Sequence, residues 1–182
     1  MLEIRWHGRG GQGAVTSVEL FALAAIAEGK FAQGFPSFGT ERRGAPVTGF
    51  NRVDDKQIKI RSGIYHPDVV VVLDEGLVAL VDVAEGLKPE GTLLVNSTKS
   101  LAELRKDIHF EGKIATCDAT GIAWKELGVP ITNTTMLGAL VKITGTVKIE
   151  SLEAPIKERF GRIAAKNMAA AKSAYDQVKF IN

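Results

Sequence analysis

Three features of the sequence predict an α/β fold. A glycine-rich turn, HGRGGQG at 7–13, separates a short extended stretch from a long apolar run. DVVVVLD at 68–74 leaves no polar face, and strand-like and helix-like segments alternate through the first two thirds of the chain. Such alternation builds a sheet covered by helices. The expected architecture is a Rossmann-like, mostly parallel sheet flanked by helices, with an inserted β-ribbon and a helical C-terminal part. At 182 residues the chain is read as one domain, 1–182, large enough for a substantial core.

LEIRW at 2–6 reads as the first strand. The run at 14–30 is apolar over much of its circumference, which suits a helix covered on two sides and ended by Gly29. FAQGF at 31–35 is the second strand, and PSFGTERRGAPV, rich in Gly and Pro, is a loop. VTGFNRV and KQIKIRS, separated by Asp54 and Asp55, are predicted to pair as the ribbon, because Ile58 and Ile60 alternate with Lys59 and Arg61. DVVVVLD is a central parallel strand buried on both faces. GLVALVDVAEG puts Leu77, Leu80, Val81 and Ala84 on one helical stripe. TLLVN and KIATCDA are further strands, and GIAWKELG is a short helix.

The C-terminal third reads as helical. TTMLGALVKITG is apolar nearly all round, with Gly138 placed for the close approach of another backbone. SLEAPIKERF spaces Leu152, Ile156 and Phe160 one turn apart, with Pro155 expected at the first helical position. The last helix, 162–179, gathers Ile163, Ala164, Met168, Ala171, Ala174, Tyr175 and Val178 on its covered side.

Composition narrows the function. A net charge of +2, from 23 basic and 21 acidic residues and with no dense basic block, argues against a nucleic-acid partner. No apolar run approaches the roughly 18 residues of a membrane helix. The N-terminus lacks an apolar signal core, so a cytoplasmic protein is expected. Cys117 is the sole cysteine, which rules out an intrachain disulfide and an all-cysteine iron–sulfur cluster held by this chain alone. Its setting in KIATCDA is that of a core thiol.

Gly8, Gly10 and Gly13 spell G-x-G-x-x-G. Together with Arg9, Gly11 and Gln12 they form a candidate site for an anion or phosphate, held by backbone N–H groups and a helix N-terminus. A purely structural strand-to-helix turn stays open beside it. Classical NAD binding is disfavoured, since the second strand does not end in the acidic residue that grips a ribose. No G-K-[ST] follows, so the turn is not a P-loop. ERRG at 41–44 offers Arg42 and Arg43 between Pro36 and Pro46 and beside Phe35 and Phe38, the mixture of an interface loop. Were the second strand to run parallel to the first, both loops would emerge at one sheet edge.

The remaining polar residues point to local roles. Asp74 and Glu75 read as helix caps, as do Thr132 and Asn133, with Asn96 and Ser97 in comparable positions. His7, His66 and His109 have no mutual metal spacing. No catalytic residue and no metal ligand is assigned, and that absence tilts the chain toward a subunit of something larger.

HGRGGQG, FPSFGTERRGAP, the strand pair ending IRSG, DVVVVLDE and NTTMLGAL, in that order, resemble the gamma subunits of 2-oxoacid:ferredoxin oxidoreductases, of the pyruvate:ferredoxin oxidoreductase (pyruvate synthase) type. The resemblance runs from Leu2 through the last helix. It implies a complex that couples 2-oxoacid decarboxylation and acyl transfer to coenzyme A with ferredoxin reduction. Thiamine diphosphate would lie on alpha and beta subunits, and iron–sulfur clusters on beta and delta. The chain would be structural and coenzyme A-positioning, inactive alone, with alpha, beta and delta subunits as partners and ferredoxin met through the complex. Arg9, Arg42 or Arg43 is expected to face coenzyme A phosphates or a sister subunit's carboxylates. The alternatives are an independent NAD- or FAD-dependent oxidoreductase and a regulatory module binding coenzyme A or a nucleotide. An isolated subunit should also expose an apolar patch or self-associate, with the helix at 133–144 one place to look.

Overall fold

The computed structural model describes residues 1–37 and 43–180. One seven-stranded sheet runs through them: β1 (Leu2–Arg9), β2 (Phe31–Pro36), β3 (Pro46–Asp54), β4 (Val69–Val72), β5 (Thr92–Asn96), β6 (Lys113–Cys117) and β7 (Lys179–Phe180). Their spatial order is β2-β3-β1-β4-β5-β6-β7. β1, β4, β5 and β6 are mutually parallel, whereas β3 and β7 are antiparallel to their neighbours. The sheet is therefore mixed, where a mostly parallel one was expected. Helices α1 (Ala14–Ala27), α3 (Ala119–Leu127), α4 (Asn133–Thr144), α5 (Glu153–Phe160) and α6 (Ala164–Gln177) feed the core on one face, and α2 (Leu101–Asp107) packs on the other.

The pleat divides the core. Val69 and Val71 enter the cluster under α1 and α4, while Val70 and Val72 enter the opposite one with Leu77, Leu93 and Leu104. Each fully buried valine contributes roughly 1.5–3 kcal/mol of transfer free energy, and this is why an unbroken apolar run marks the sheet centre.

The ribbon departs from expectation. β3 pairs with β1 on one side and with β2 on the other. Both its hydrogen-bonding edges are occupied, so KQIKIRS cannot pair with β3 as expected, and it runs without strand structure. Ile60 is exposed, and Arg52 draws the segment in through the carbonyls of Ser62 and Gly63. The ribbon that forms is β2–β3.

GLVALVDVAEG also departs. A 3-10 turn at Glu75–Leu77 is followed by turns, and Leu80 is 61% exposed. The Arg5 guanidinium, buried beneath this segment, donates hydrogen bonds to the carbonyls of Val83 and Glu85. Asp82 Oδ1 accepts from the Ala84 N–H. Backbone groups that a helix would use internally are committed to side chains instead.

α4 is buried from Asn133 to Val141, so it offers no exposed patch. A Cβ on Gly138 would lie 1.8 Å from the Ala171 carbonyl oxygen, which explains the glycine in mid-helix: α4 and α6 touch backbone to backbone there. Pro155 is the third residue of α5, behind a 3-10 turn at Ile149–Leu152, and not the first. It remains within the first turn, where the absent N–H costs no helical bond. Ile163 is 53% exposed, because it belongs to a 3-10 turn before α6 rather than to the helix's covered stripe. After Gln177 the chain leaves the helix and β7 pairs with β6.

Candidate functional site at the C-terminal edge of the sheet

β1 continues beyond Trp6, because its pairing with β3 persists to Arg9↔Pro46. The glycine turn therefore begins at Gly10. Gly11 and Gly13 have φ of 92° and 81°, a left-handed backbone that side chains oppose. A Cβ on Gly13 would also lie 2.5 Å from Asn133 Nδ2, and one on Gly8 would lie 3.2 Å from both Ala14 Cβ and Leu73 Cδ1. Gly8, Gly11 and Gly13 each meet a local conformational or packing demand.

The turn and the charged loop do converge. β1 and β2 are both antiparallel to β3, so they point the same way although they are not neighbours. The Gly10 N–H donates to Ala45 O at 2.9 Å, and the Gly44 N–H donates to Gly10 O at 3.1 Å. Arg9 Nη1 reaches Gly44 O at 3.3 Å. Gly10 and Arg43 form a parallel bridge, and Arg43 is exposed. Arg42, like Phe38 and Glu41, lies outside the described residues. Phe35 belongs to the sheet, with its ring 5.3 Å from that of Phe50 and the Arg52 guanidinium 5.6 Å from its centroid.

Arg9 and Gln12 meet an anion of their own chain. Arg9 Nε lies 2.9 Å from Asp74 Oδ2, and Gln12 Nε2 donates to the same oxygen at 2.8 Å. Gln12 Oε1 accepts from the Arg9 N–H at 2.7 Å. Asp74 Oδ1 accepts from the Gly76 N–H, the capping role expected of it. Burial pushes the Asp74 carboxyl upward, but hydrogen bonds from Gln12, Arg9 and Gly76 and the Arg9 charge outweigh it and hold the pKa below the ordinary value.

β1 leads through α1 to one side of the sheet, and β4 leads to β5 on the other. A crevice opens where such connections part. Here it is a cleft of about 470 Å³, lined by Gln12, Asp74, Asn96, Asp118, Thr120 and Thr132 among others. Asn96 Nδ2 donates to Leu73 O and to Thr120 Oγ1, tying the ends of β4, β5 and α3 together. Glu75 accepts from Ser97 Oγ and pairs with Lys99 at 2.8 Å. Asp118 caps α3 through the Gly121 N–H. Thr132 occupies the N-cap of α4 without a side-chain cap bond.

The remaining candidates resolve as structure. His7 Nε2 accepts from Arg5 Nε at 3.0 Å, and burial, then the Arg5 charge, lower its pKa to about 4. The ring is neutral at pH 7. His66 and His109 are exposed. Cys117 is buried, and burial followed by the neighbouring Asp118 charge pushes its thiol up to about 12. Among the described residues no group of three or more His, Cys, Asp or Glu is placed to hold a metal ion. The single buried thiol does not make the donor set of an iron–sulfur cluster. No helix there is long and apolar enough to cross a membrane.

Residues 3–177 match the pyruvate ferredoxin/flavodoxin oxidoreductase family. The chain is 55% identical over 179 residues to a common gamma subunit of pyruvate/ketoisovalerate oxidoreductases from Thermococcus kodakarensis, covering 97% of each. It is 53% identical over 180 residues to the pyruvate synthase subunit PorC of Methanothermobacter marburgensis, covering 98% of each. Among solved structures, the PORC subunit of pyruvate oxidoreductase from Thermotoga maritima superposes with a TM-score of 0.90 at 43% identity, covering 100% of this chain and 98% of that one. A 2-oxoglutarate:ferredoxin oxidoreductase from Magnetococcus marinus, with 2-oxoglutarate, coenzyme A and succinyl-CoA bound, shares the fold. It has a TM-score of 0.71 at 20% identity, over 96% of this chain and 30% of that one.

Proposed function

The chain belongs to the pyruvate ferredoxin/flavodoxin oxidoreductase family, as a gamma-type subunit, and from that premise we propose that it is a non-redox wall of a pyruvate synthase that positions coenzyme A. Thiamine diphosphate and the iron–sulfur clusters belong to alpha, beta and delta subunits in this reading, and ferredoxin docks on the complex. When bound there, thiamine diphosphate supplies the carbanion chemistry and the clusters carry the electrons.

The observation that carries the reading is the joining of the glycine turn to the arginine loop by the Gly10–Ala45, Gly44–Gly10 and Arg9–Gly44 hydrogen bonds. These bonds make one rigid unit from two segments 30 residues apart in sequence, at the edge where α/β folds bind ligands. Arg9, held by Asp74, orients the turn, and Arg42 and Arg43 carry the charge that meets phosphates. A guanidinium suits that task, since its planar fork pairs with two phosphate oxygens at once. The Thermococcus relative is named as common to pyruvate and ketoisovalerate oxidoreductases, which supports placing the choice of 2-oxoacid in other subunits.

The test is reconstitution with Arg42→Ala/Arg43→Ala. The reading expects an assembled complex, unchanged KM for pyruvate, and a KM for coenzyme A raised by roughly tenfold or more, as for one lost charge-assisted contact. Failed assembly with normal coenzyme A dependence in the residual complex assigns the loop to a sister subunit's carboxylates instead.

A further inference from the structure

The two edges of the sheet are guarded unequally. β7 is two residues long and carries Lys179, whereas β2, FAQGFP, is six residues long and uncharged. Edge strands are normally kept from pairing with other chains by shortness, charge, a bulge or a covering segment. In β2 only Pro36 serves that purpose.

The register shows which groups face outward. Pro36 lies opposite Gly49, and the Ser37 N–H donates to Thr48 O at 2.8 Å. That makes Pro36 and Gly49 a non-hydrogen-bonded pair, and such pairs alternate with bonded ones along an antiparallel ladder. Phe31, Gln33 and Phe35 therefore bond to β3, while Ala32, Gly34 and Pro36 turn their backbone groups outward. Among the described residues nothing bonds to the Ala32 or Gly34 N–H, and Gly34 is exposed. A Cβ on Gly34 would lie 2.8 Å from Val18 Cγ1, so Gly34 faces α1 and, by alternation, Gln33 faces the other side of the sheet. There Gln33 Nε2 reaches Ile58 O at 3.4 Å, which places that segment beneath the strand and not along its edge.

The helix above this edge is apolar on the same side. α1 packs over β2 and β3. Glu19, Leu23 and Ile26 form one stripe of it, with Leu23 47% and Ile26 52% exposed. Ser17, on the opposite side of α1, bonds to Asn133 O of α4, so the stripe looks outward past β2.

We propose that a second copy of this chain docks here, β2 against β2 and antiparallel, about a two-fold axis through Gln33. Ala32 of each copy exchanges backbone hydrogen bonds with Gly34 of the other, on both sides of the axis. The ladder stops where donors run out: Pro36 has no N–H, and Lys30, which would meet it, commits its own to Ala25 O at 3.1 Å. The edge thus fits itself, as an isologous interface requires. The axis stands perpendicular to the joined sheet, so the two α1 helices lie side by side on one face and their Leu23 and Ile26 cover each other. Those contacts add the apolar area that a short ladder lacks. Val18 sits over Gly34, so Glu19 falls beside the axis and near its counterpart, and this repulsion keeps the pair reversible. The inference goes beyond coenzyme A positioning and uses no residue of the arginine loop.

The experiment is sedimentation velocity on the full-length chain alone, with disulfide trapping of Gln33→Cys. The chain should pass from monomer to dimer over roughly 10–300 µM, the range of a small interface. Opposed residues of a non-hydrogen-bonded pair have Cα atoms about 4.5 Å apart, within disulfide range, so Gln33→Cys should form an interchain disulfide on mild oxidation. Cys117 is buried and does not compete, and Leu80→Cys, exposed on the other face of the sheet, is the control that should cross-link far more slowly. Leu23→Glu adds like charge at the axis and Ala32→Pro removes an outward N–H while sparing the β2–β3 ladder; each should weaken the dimer roughly tenfold or more with an unchanged far-UV spectrum. Glu19→Gln should tighten it by about fivefold. A monomer throughout the range, a dimer indifferent to both Leu23→Glu and Ala32→Pro, or trapping of Gln33→Cys no faster than the control overturns the proposal. No coenzyme A or sister subunit enters these measurements, so their failure leaves the proposed function to its own test.

Discussion

Arg9 and Asp74, 65 residues apart, pair at 2.9 Å across the mouth between β1 and β4. The arginine that the sequence offers to a ligand is thereby a fixed part of the turn. Asp74→Asn keeps the cap on Gly76 but loses the charge, and at the observed partial exposure this should lower stability by about 1 kcal/mol. The folded carboxyl sits below its ordinary pKa of 3.8. Its contribution is thus complete above that ordinary value and disappears as pH falls through the lower folded value. Urea midpoints of the two proteins should differ at pH 7 and at pH 5, then converge in stronger acid. A constant difference at every pH would show that the charge is not the cause.

Gly138→Ala tests the contact of α4 with Ala171. Helix propensity alone would favour alanine by about 1 kcal/mol. The added Cβ meets a backbone oxygen at 1.8 Å, so a helix must move. The net result should be a loss of about 2–3 kcal/mol and a fall in Tm of roughly 5–10 °C. A Tm at or above the parent value would remove the proposed contact.

Asn51 holds three elements. It accepts from Trp6 Nε1 at 2.8 Å and donates to Val18 O at 2.9 Å, all buried. Asn51→Leu strands the indole N–H and is expected to cost about 2–4 kcal/mol, read as a lower urea midpoint with an unchanged m-value. A loss under about 0.5 kcal/mol would show that the indole finds another partner.

The Cys117 thiol, buried and raised to about 12, should resist a thiol reagent such as DTNB at pH 8 in the folded chain and react at once in denaturant. Rapid modification of the folded chain would contradict its placement in the core.

Legibility in the sequence followed the range of the forces. Val69–Val72 and the glycine in α4 were readable because burial on both faces and helix contact leave their mark on adjacent residues. α2 was missed although Ser100 and Glu103 form a capping box, a signal present in the sequence at the right spacing. Residues 56–62 alternate like a strand, yet their expected pairing with β3 does not form, since β1 and β2 occupy both edges of β3. Residues 76–86 carry a helical stripe that the Arg5 side chain overrides from 80 residues away. For the site, the glycine turn and Arg43 were visible as motifs. The Arg9–Asp74 pair and the meeting of Asn96, Asp118, Thr120 and Thr132 were not, because they depend on which strands are neighbours.

The most direct test of the account is omission and add-back. Complex assembled from alpha, beta and delta subunits alone should retain the spectroscopic signals of its clusters and its thiamine diphosphate, yet make little acetyl-CoA from pyruvate until this chain is restored. The chain purified alone should carry no redox centre and reduce no ferredoxin. A stoichiometric redox group on the isolated chain, or loss of the cluster signals when it is omitted from an otherwise intact assembly, would contradict the division of labour.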